Sequence, residues 1–223
     1  MDNASLYLGI DYGGSSVKVG IVSGDGTLLQ NTSLPAAHLG NQPECRAYAH
    51  SIVEFVLSTG VVLPELKGVG LDIPGAVQGG HYSTPNVKTD WHTFIDSLAS
   101  ALQQNTIAVL NDADAAALGE SWIGAGKSYD SLLLVTLGSA LGSGIILNNA
   151  LVSGSHGGAG EIGHLVVDAQ GRPCNCGRNG CLERYASARG LVQSFNEAAT
   201  LFDLDSARVS PYAPANETDA YPV

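Results

Sequence analysis

The chain has 223 residues, 44% hydrophobic and 14% charged, which is enough apolar material for a packed core and too little charge for a disordered chain. Asp+Glu number 21 against Lys+Arg 10, a formal net charge of -11, and so acidic a surface repels phosphate backbones and argues against a nucleic-acid partner. No apolar run approaches the ~20 residues of a membrane span, and the run from Leu6 to Ile10 is too short for a secretory signal core, so the expected location is the cytoplasm, where thiols stay reduced.

Residues 6–11 and 17–22 read as strands joined by the tight turn Tyr12-Gly13-Gly14-Ser15-Ser16. A second turn signal at 23–26 leads into a third strand at 27–33, so the chain opens as an antiparallel meander. A helix follows at about 43–59, where Ala47, Ile52, Val53, Phe55 and Val56 supply an apolar stripe. Val69 to Ile73 is a short buried strand that runs into Pro74-Gly75. Residues 93–104 read as an amphipathic helix, 107–110 as a strand, and alanine-rich 113–123 as a helix that starts just after Asn111-Asp112.

The pattern then repeats in outline. Residues 131–137 are a strand, Gly138 to Gly144 a glycine-rich turn, and 144–148 a second strand. The glycine-rich turns at 11–16 and 136–144 look like one device used twice, which predicts two similar halves facing one another across a cleft. The expected domains are 1–115 and 116–204, with the boundary near 112–130. Ser153 to Gly163 is loop, 165–168 can be a strand, 171–181 forms a cysteine loop and 182–202 reads as helix. The stretch 205–223 carries Pro211, Pro214 and Pro222 without periodicity and is expected to be a disordered tail.

Five stretches carry chemistry. In DYGGSSVK, from Asp11 to Lys18, small residues let backbone amides approach an anion, and Asp11 at the strand end can hold a water on Mg²⁺. The turn joins two strands, so it is neither a P-loop nor a dinucleotide fingerprint, and a plain hairpin turn is the alternative. In TLGSALGSG, Gly138, Ser139, Gly142 and Gly144 can cradle further phosphates. In LNDADAAALGE, a strand delivers Asn111 and Asp112 to the start of a helix, where a carboxylate can take the proton of an attacking hydroxyl. Asp112 is either that base or simply an N-cap, and Asp114 is its competitor. In STPNVKTDW, Asn86 and Trp91 can line a sugar pocket, although a tryptophan such as Trp91 is more often core packing.

The fifth stretch joins AGEIGH, from Ala159, to CNCGRNGCLE, from Cys174. His164 is followed by nine residues, Cys174, one residue, Cys176, four residues and Cys181. One imidazole and three thiolates make a closed tetrahedral zinc set with no open position, hence structural rather than catalytic. Glu161 and Glu183 flank the set and suit hydroxyl recognition, or are surface charges. Cys45 stands apart and reads as a small buried residue.

The order DYGGSSVK, DIPG, TPN…W, NDADAAALGE, LGSALGSG, AGEIGH, CNCGRNGCLE, from about residue 6 to about 187, resembles the ROK family of repressors, open reading frames and kinases. The resemblance implies an α/β chain with the actin-like ATPase fold, two RNase H-like domains closing on a sugar and a nucleotide. It implies ATP-dependent phosphorylation of a hexose, glucose first, with Asp112 as the general base and Mg²⁺ on the phosphates. Asn111, Glu161, His164 and Glu183 would hold sugar hydroxyls, with Asn86 at the pocket edge. His164 would place one ring nitrogen on zinc and turn the other toward the sugar. Gly13, Gly14, Ser15, Gly138, Ser139 and Gly142 would face phosphates. Family members are commonly dimers or tetramers, so a homo-oligomer, a dimer first, is expected, and the donor is open between ATP and polyphosphate.

Kinases of this family continue past the zinc loop to a strand and glycine-rich turn that hold the adenosine. No such segment follows residue 190, which predicts an incomplete second domain. A sugar-binding fragment without kinase activity is therefore the alternative to an enzyme. A sugar-responsive repressor is a third reading, but repressors carry a helix-turn-helix domain before the sugar-binding part. The phosphate motif here begins within a dozen residues of Met1.

Overall fold

A computed structural model describes residues 5–84 and 87–201. Asn86 and the proposed tail at 205–223 lie outside the described residues. The chain divides into two compact units, Met1–Ser128 with Ser155–Gly157, and Tyr129–Gly154 with Gly158–Val223.

The first unit is built on the expected meander, β1 (Leu6–Tyr12), β2 (Ser16–Ser23) and β3 (Leu28–Pro35), followed by α1 (Gln42–Ser58). Asn41 caps α1 by accepting the Glu44 amide, while the Glu44 carboxylate accepts the Gly40 amide. β4 (Leu66–Ile73) then returns parallel to β1. Next come a small hairpin, β5 (Ala76–Gln78) and β6 (His81–Ser83), then α2 (Trp91–Leu102), β7 (Ala108–Asn111) and α3 (Asp112–Trp122). The main sheet has the order β3-β2-β1-β4-β7. The β5–β6 hairpin is absent from the sequence reading, because three-residue strands are too short to show an alternation.

Alternation along the central strands decides which face is covered. Leu8, Ile10 and Tyr12 of β1 and Val69, Leu71 and Ile73 of β4 are buried with Ile52 and Val56 of α1 and Phe94 and Leu98 of α2. Gly9, Asp11, Gly70 and Asp72 take the intervening positions and point to the other face. Trp91 belongs to the core and not to a pocket. It is 4% exposed, stands edge-on to Tyr12 with ring centroids 5.0 Å apart, and donates through Nε1 to Thr84 Oγ1 at 2.7 Å.

The second unit carries β8 (Leu132–Leu137), β9 (Leu141–Leu147) and β10 (Ala150–Leu151) in the sheet order β10-β9-β8. β9 starts three residues before the predicted 144, so Gly142 and Gly144 lie in the strand, opposite Thr136 and Leu134, rather than in the turn. Asn148 and Asn149, both at positive φ (51° and 62°), make the tight turn between β9 and β10. The possible strand at 165–168 reduces to a single bridge between Val166 and Cys181. The helix expected over 182–202 breaks at Ser187, whose extended backbone separates α4 (Glu183–Ala186) from α5 (Ala188–Leu201).

Arg172 fastens the cysteine loop to those two helices. Its guanidinium donates to the carbonyls of Arg184 (2.6 Å) and Gly190 (3.2 Å), to Ser194 Oγ (3.0 Å) and to Glu197 Oε2 (2.5 Å). It also lies 4.7 Å from the centre of the Tyr185 ring. Gly180, at φ 71°, closes the loop where a side chain would overlap the Asp168 carbonyl. Among the described residues no helix is long and apolar enough to cross a membrane.

Candidate functional site

In the first unit the strand ends deliver the polar groups. The β1–β2 turn presents Gly13, Gly14 and Ser15 between Tyr12 and Ser16, closed by the Gly13 amide on the Ser16 carbonyl at 3.0 Å. Gly14 has open space where a side chain would stand. A turn of this build leaves amides available to an anion. Asp11, one position before Tyr12, accepts from Lys18 Nζ at 2.9 Å, and the register places Lys18, Asp11 and Asp72 side by side on β2, β1 and β4.

Asn111 and Asp112 divide two tasks. The Asn111 side chain is the helix cap: its Oδ1 accepts the amides of Ala113 (2.8 Å) and Asp114 (3.0 Å). Its Nδ2 donates to the Gly75 carbonyl at 3.0 Å, tying the DIPG stretch to the start of α3. Gly75 is required there, since a side chain on it would strike the Ser83 carbonyl. With the cap filled by Asn111, Asp112 is the first helical residue, and its carboxylate accepts the Ala113 amide at 2.8 Å and meets the Asn111 side chain. Asp112 is open to solvent on one side. The protein on its other side disfavours the charged form and raises its pKa. The negative charge of Asp11 adds to the rise, while the Ala113 amide and Asn111 oppose it. A carboxylate so placed and so tuned can take a proton from a bound hydroxyl.

Asp72 is the residue that sequence reasoning passed over, although an acid inside the apolar run Val69 to Ile73 was the available signal. It is half-buried, and its pKa is raised to about 8 by burial first, then by the charge and hydrogen bond of Asp11 and the charge of Asp112, with Lys18 opposing.

In the second unit Gly138 and Ser139 lie in the β8–β9 turn, where the Gly138 amide bonds the Ala140 carbonyl at 3.0 Å and the Gly138 carbonyl accepts the Ala188 amide at 3.0 Å. Both glycine-rich turns therefore join antiparallel strand pairs, one in each unit.

The ligand atoms of His164, Cys174, Cys176 and Cys181 all lie within 4.8 Å of one another. Cys174 Sγ is 3.6 Å from His164 Nδ1, and Cys176 Sγ is 3.5 Å from Cys181 Sγ. Donors bound to one tetrahedral zinc stand about 3.3–3.8 Å apart, so the donor set fits that ion. The backbone is prepared for it: the Cys174 amide bonds the Arg178 carbonyl at 2.8 Å, and the Gly177 amide bonds the Cys174 carbonyl at 3.0 Å. Arg178 pulls the Cys176 thiol down to about 6, while burial pushes Cys174 up to about 12. His164 uses Nδ1 toward the cluster, which leaves Nε2 for another partner. Glu183 is joined to the cluster, with Oε1 at 3.0 Å from Cys174 Sγ and 3.7 Å from His164 Nδ1. Glu161 is exposed and begins the 3₁₀ turn Ile162–His164.

The family model described as the ROK family matches residues 7–222. The chain belongs to the ROK family. It is 35% identical over 206 residues to a glucokinase of Halalkalibacterium halodurans, covering 87% of this chain and 60% of that one. It is 38% identical over 133 residues to a xylose repressor of Caldicellulosiruptor bescii, covering 57% of this chain and 32% of the repressor. Among solved structures, the ROK family glucokinase of Streptomyces griseus in complex with glucose and AMPPNP superposes with a TM-score of 0.72 at 31% identity, covering 91% of this chain and 64% of that one. This ROK chain thus has the α/β, actin-like ATPase fold of the ROK sugar kinases and spans about 60% of the length of the glucokinase relatives it matches.

Proposed function

We propose that this protein transfers the γ-phosphoryl group of ATP to a hydroxyl of a hexose, glucose first, with Asp112 as general base. The observation that carries the reading is the division of labour between Asn111 and Asp112. Because Asn111 fills the helix cap, the neighbouring carboxylate faces solvent with a raised pKa and little else to do. The glucokinase similarities support a sugar as the acceptor.

In this reading Asp112 accepts the proton of the attacking hydroxyl as the oxygen closes on phosphorus. Asn111 holds Asp112 in place and faces a neighbouring sugar hydroxyl. Glu161, Glu183 and His164 Nε2 accept or donate to other hydroxyls, with Asn86 at the pocket edge. Gly13, Gly14 and Ser15 in one unit, and Gly138, Ser139 and Gly142 in the other, face phosphate oxygens. Mg²⁺ on the phosphates would offset their charge, with Asp11 accepting from a water of its shell. Zinc at His164, Cys174, Cys176 and Cys181 would fix the loop that carries His164 and Glu183, without an open position for chemistry. ATP and reduced thiols coexist in the cytoplasm, which is the proposed location, and the proposed assembly is a homodimer. Domain limits at 1–115 and 116–204 are retained as the proposed functional division.

The test is sugar-dependent ADP formation by the 223-residue chain with Mg²⁺ and a panel of hexoses, beside Asp112→Asn. Turnover with a hexose that the variant abolishes supports the kinase; sugar binding by calorimetry without turnover defeats it. Polyphosphate in place of ATP decides the donor.

A second reading, sugar binding without transfer, is favoured by the similarity to the xylose repressor, which reaches 38% identity. The same assay separates the two, since a sensor binds sugar and forms no ADP.

A further inference from the structure

β1 lies between β2 and β4 in the sheet, and the register aligns Lys18, Asp11 and Asp72 in one row across the three strands. Strand alternation puts all three on the face opposite the core residues Ile10, Val17, Leu71 and Ile73. The next residues on that face of β1 and β4 are Gly9 and Gly70, which have no side chains to pack against Asp11. Asp11 is therefore held by the row itself. Lys18 holds it from β2 at 2.9 Å, but Lys18 is 70% exposed, and an ion pair that open to water fixes geometry weakly. Asp72, from β4, is the less exposed partner and shares a side-chain hydrogen bond with Asp11.

We propose that Asp72 is a positioning residue for the phosphoryl-transfer end of the first unit, donating a carboxyl hydrogen bond that fixes the Asp11 carboxylate beside the Gly13-Gly14-Ser15 turn. This rests on the kinase reading above for its purpose, not for its geometry. Asp72 faces Asp11 of β1, Asp112 of α3 and, across β1, Lys18 of β2. Asp72 would repel both Asp11 and Asp112 if all three were ionised. A carboxyl that keeps its proton turns that repulsion into a charge-assisted hydrogen bond, and the burial of Asp72 favours the protonated form. Asp11 is then clamped from both neighbouring strands, at the end of β1 that leads into the turn.

The test separates a donor from a filler of space. Asp72→Asn keeps a short donor in place, whereas Asp72→Ala removes it; should the alanine variant not fold, Asp72→Ser, too short to reach Asp11, replaces it. The first readout is the carboxyl-carbon NMR signal of Asp11, assigned with Asp11→Asn, in the labelled full chain at one pH near neutrality. The asparagine variant should leave that signal close to the wild-type position, and the alanine variant should move it. The second readout is hexose-dependent ADP formation. Here asparagine retains kcat, and alanine lowers kcat about tenfold with the hexose KM unchanged, as loss of orientation rather than of binding. An Asp11 signal that ignores Asp72→Ala, or moves equally in both variants, overturns the assignment. So does full kcat in the alanine variant. Wild-type protein that forms no ADP defeats the kinase reading alone, and the Asp11 signal then decides the role of Asp72 by itself.

Discussion

Asn111 takes the capping position of α3 and Asp112 follows as its first residue, so the amide side chain satisfies the helix end and the carboxylate does not have to. The two residues should therefore fail differently. Asp112→Asn keeps the helix start and removes the base, so melting temperature should change little while turnover falls by about 10²–10⁴-fold. Asn111→Ala removes the one oxygen that accepts two helix amides, and the bond to Gly75, so it should cost about 1–2 kcal/mol of stability as well as activity. Thermal melts beside the ADP assay check the pair. Equal destabilisation by both variants would return Asp112 to a capping role.

Asp72 makes stability depend on pH in a stated direction. Its folded pKa, about 8, lies above the ordinary carboxylate value of 3.8, so the native state holds a proton that the unfolded chain releases. Its contribution is fully present below the unfolded value and is lost as pH rises through the folded one. Between those limits stability should fall as pH rises and level off above about pH 8. Asp72→Asn carries no titrating proton. The difference in denaturant midpoint between it and wild type should favour the variant increasingly from pH 5 to pH 8. A constant difference over that range would contradict the shift.

Much of this arrangement was legible in the sequence, and the reasons differ by element. The meander, α1 and α3 followed from period and turn residues that depend on neighbours close in the chain. The metal set was legible because its spacing is chemistry in itself, and His164 with the three cysteines do come together. What escaped reading depends on long-range pairing. Asp72 becomes significant only when parallel pairing sets it beside Asp11, 61 positions earlier by subtraction of their numbers. The β5–β6 hairpin is too short to show a period, and the break at Ser187 has no glycine or proline to announce it. Trp91, read from sequence as core packing more than pocket, is placed in the core by its contact with Tyr12 across the sheet–helix interface.

Metal should be part of the second unit's stability. Three sulfurs and an imidazole this close are costly without a cation to share, and folding around zinc draws on the binding free energy. Purified protein should contain about one zinc per chain. A strong chelator should lower the melting temperature and expose the cysteines to a thiol reagent, with recovery on adding zinc. Cys181→Ser should behave as chelated wild type, because Cys181 is fully buried in the set. Unchanged melting after verified removal of metal would exclude a structural zinc.

Arg172 offers a test of the second unit that is independent of both metal and catalysis. Its side chain is 12% exposed and satisfies two carbonyls, a hydroxyl and a carboxylate that belong to the two helices α4 and α5. Arg172→Ala leaves those acceptors with fewer partners and removes the plane stacked on Tyr185, so a loss of about 3 kcal/mol is expected. Arg172→Lys should recover little, because one ammonium cannot reach a fork of acceptors arranged for a guanidinium. Chemical denaturation of both variants at saturating zinc gives the measurement. Since Arg172 anchors the loop bearing Cys174 and Cys176 to α5, the alanine variant should also lose zinc faster to a competing chelator. A variant that melts with wild type and holds zinc as long would show that the cysteine loop stands without this anchor.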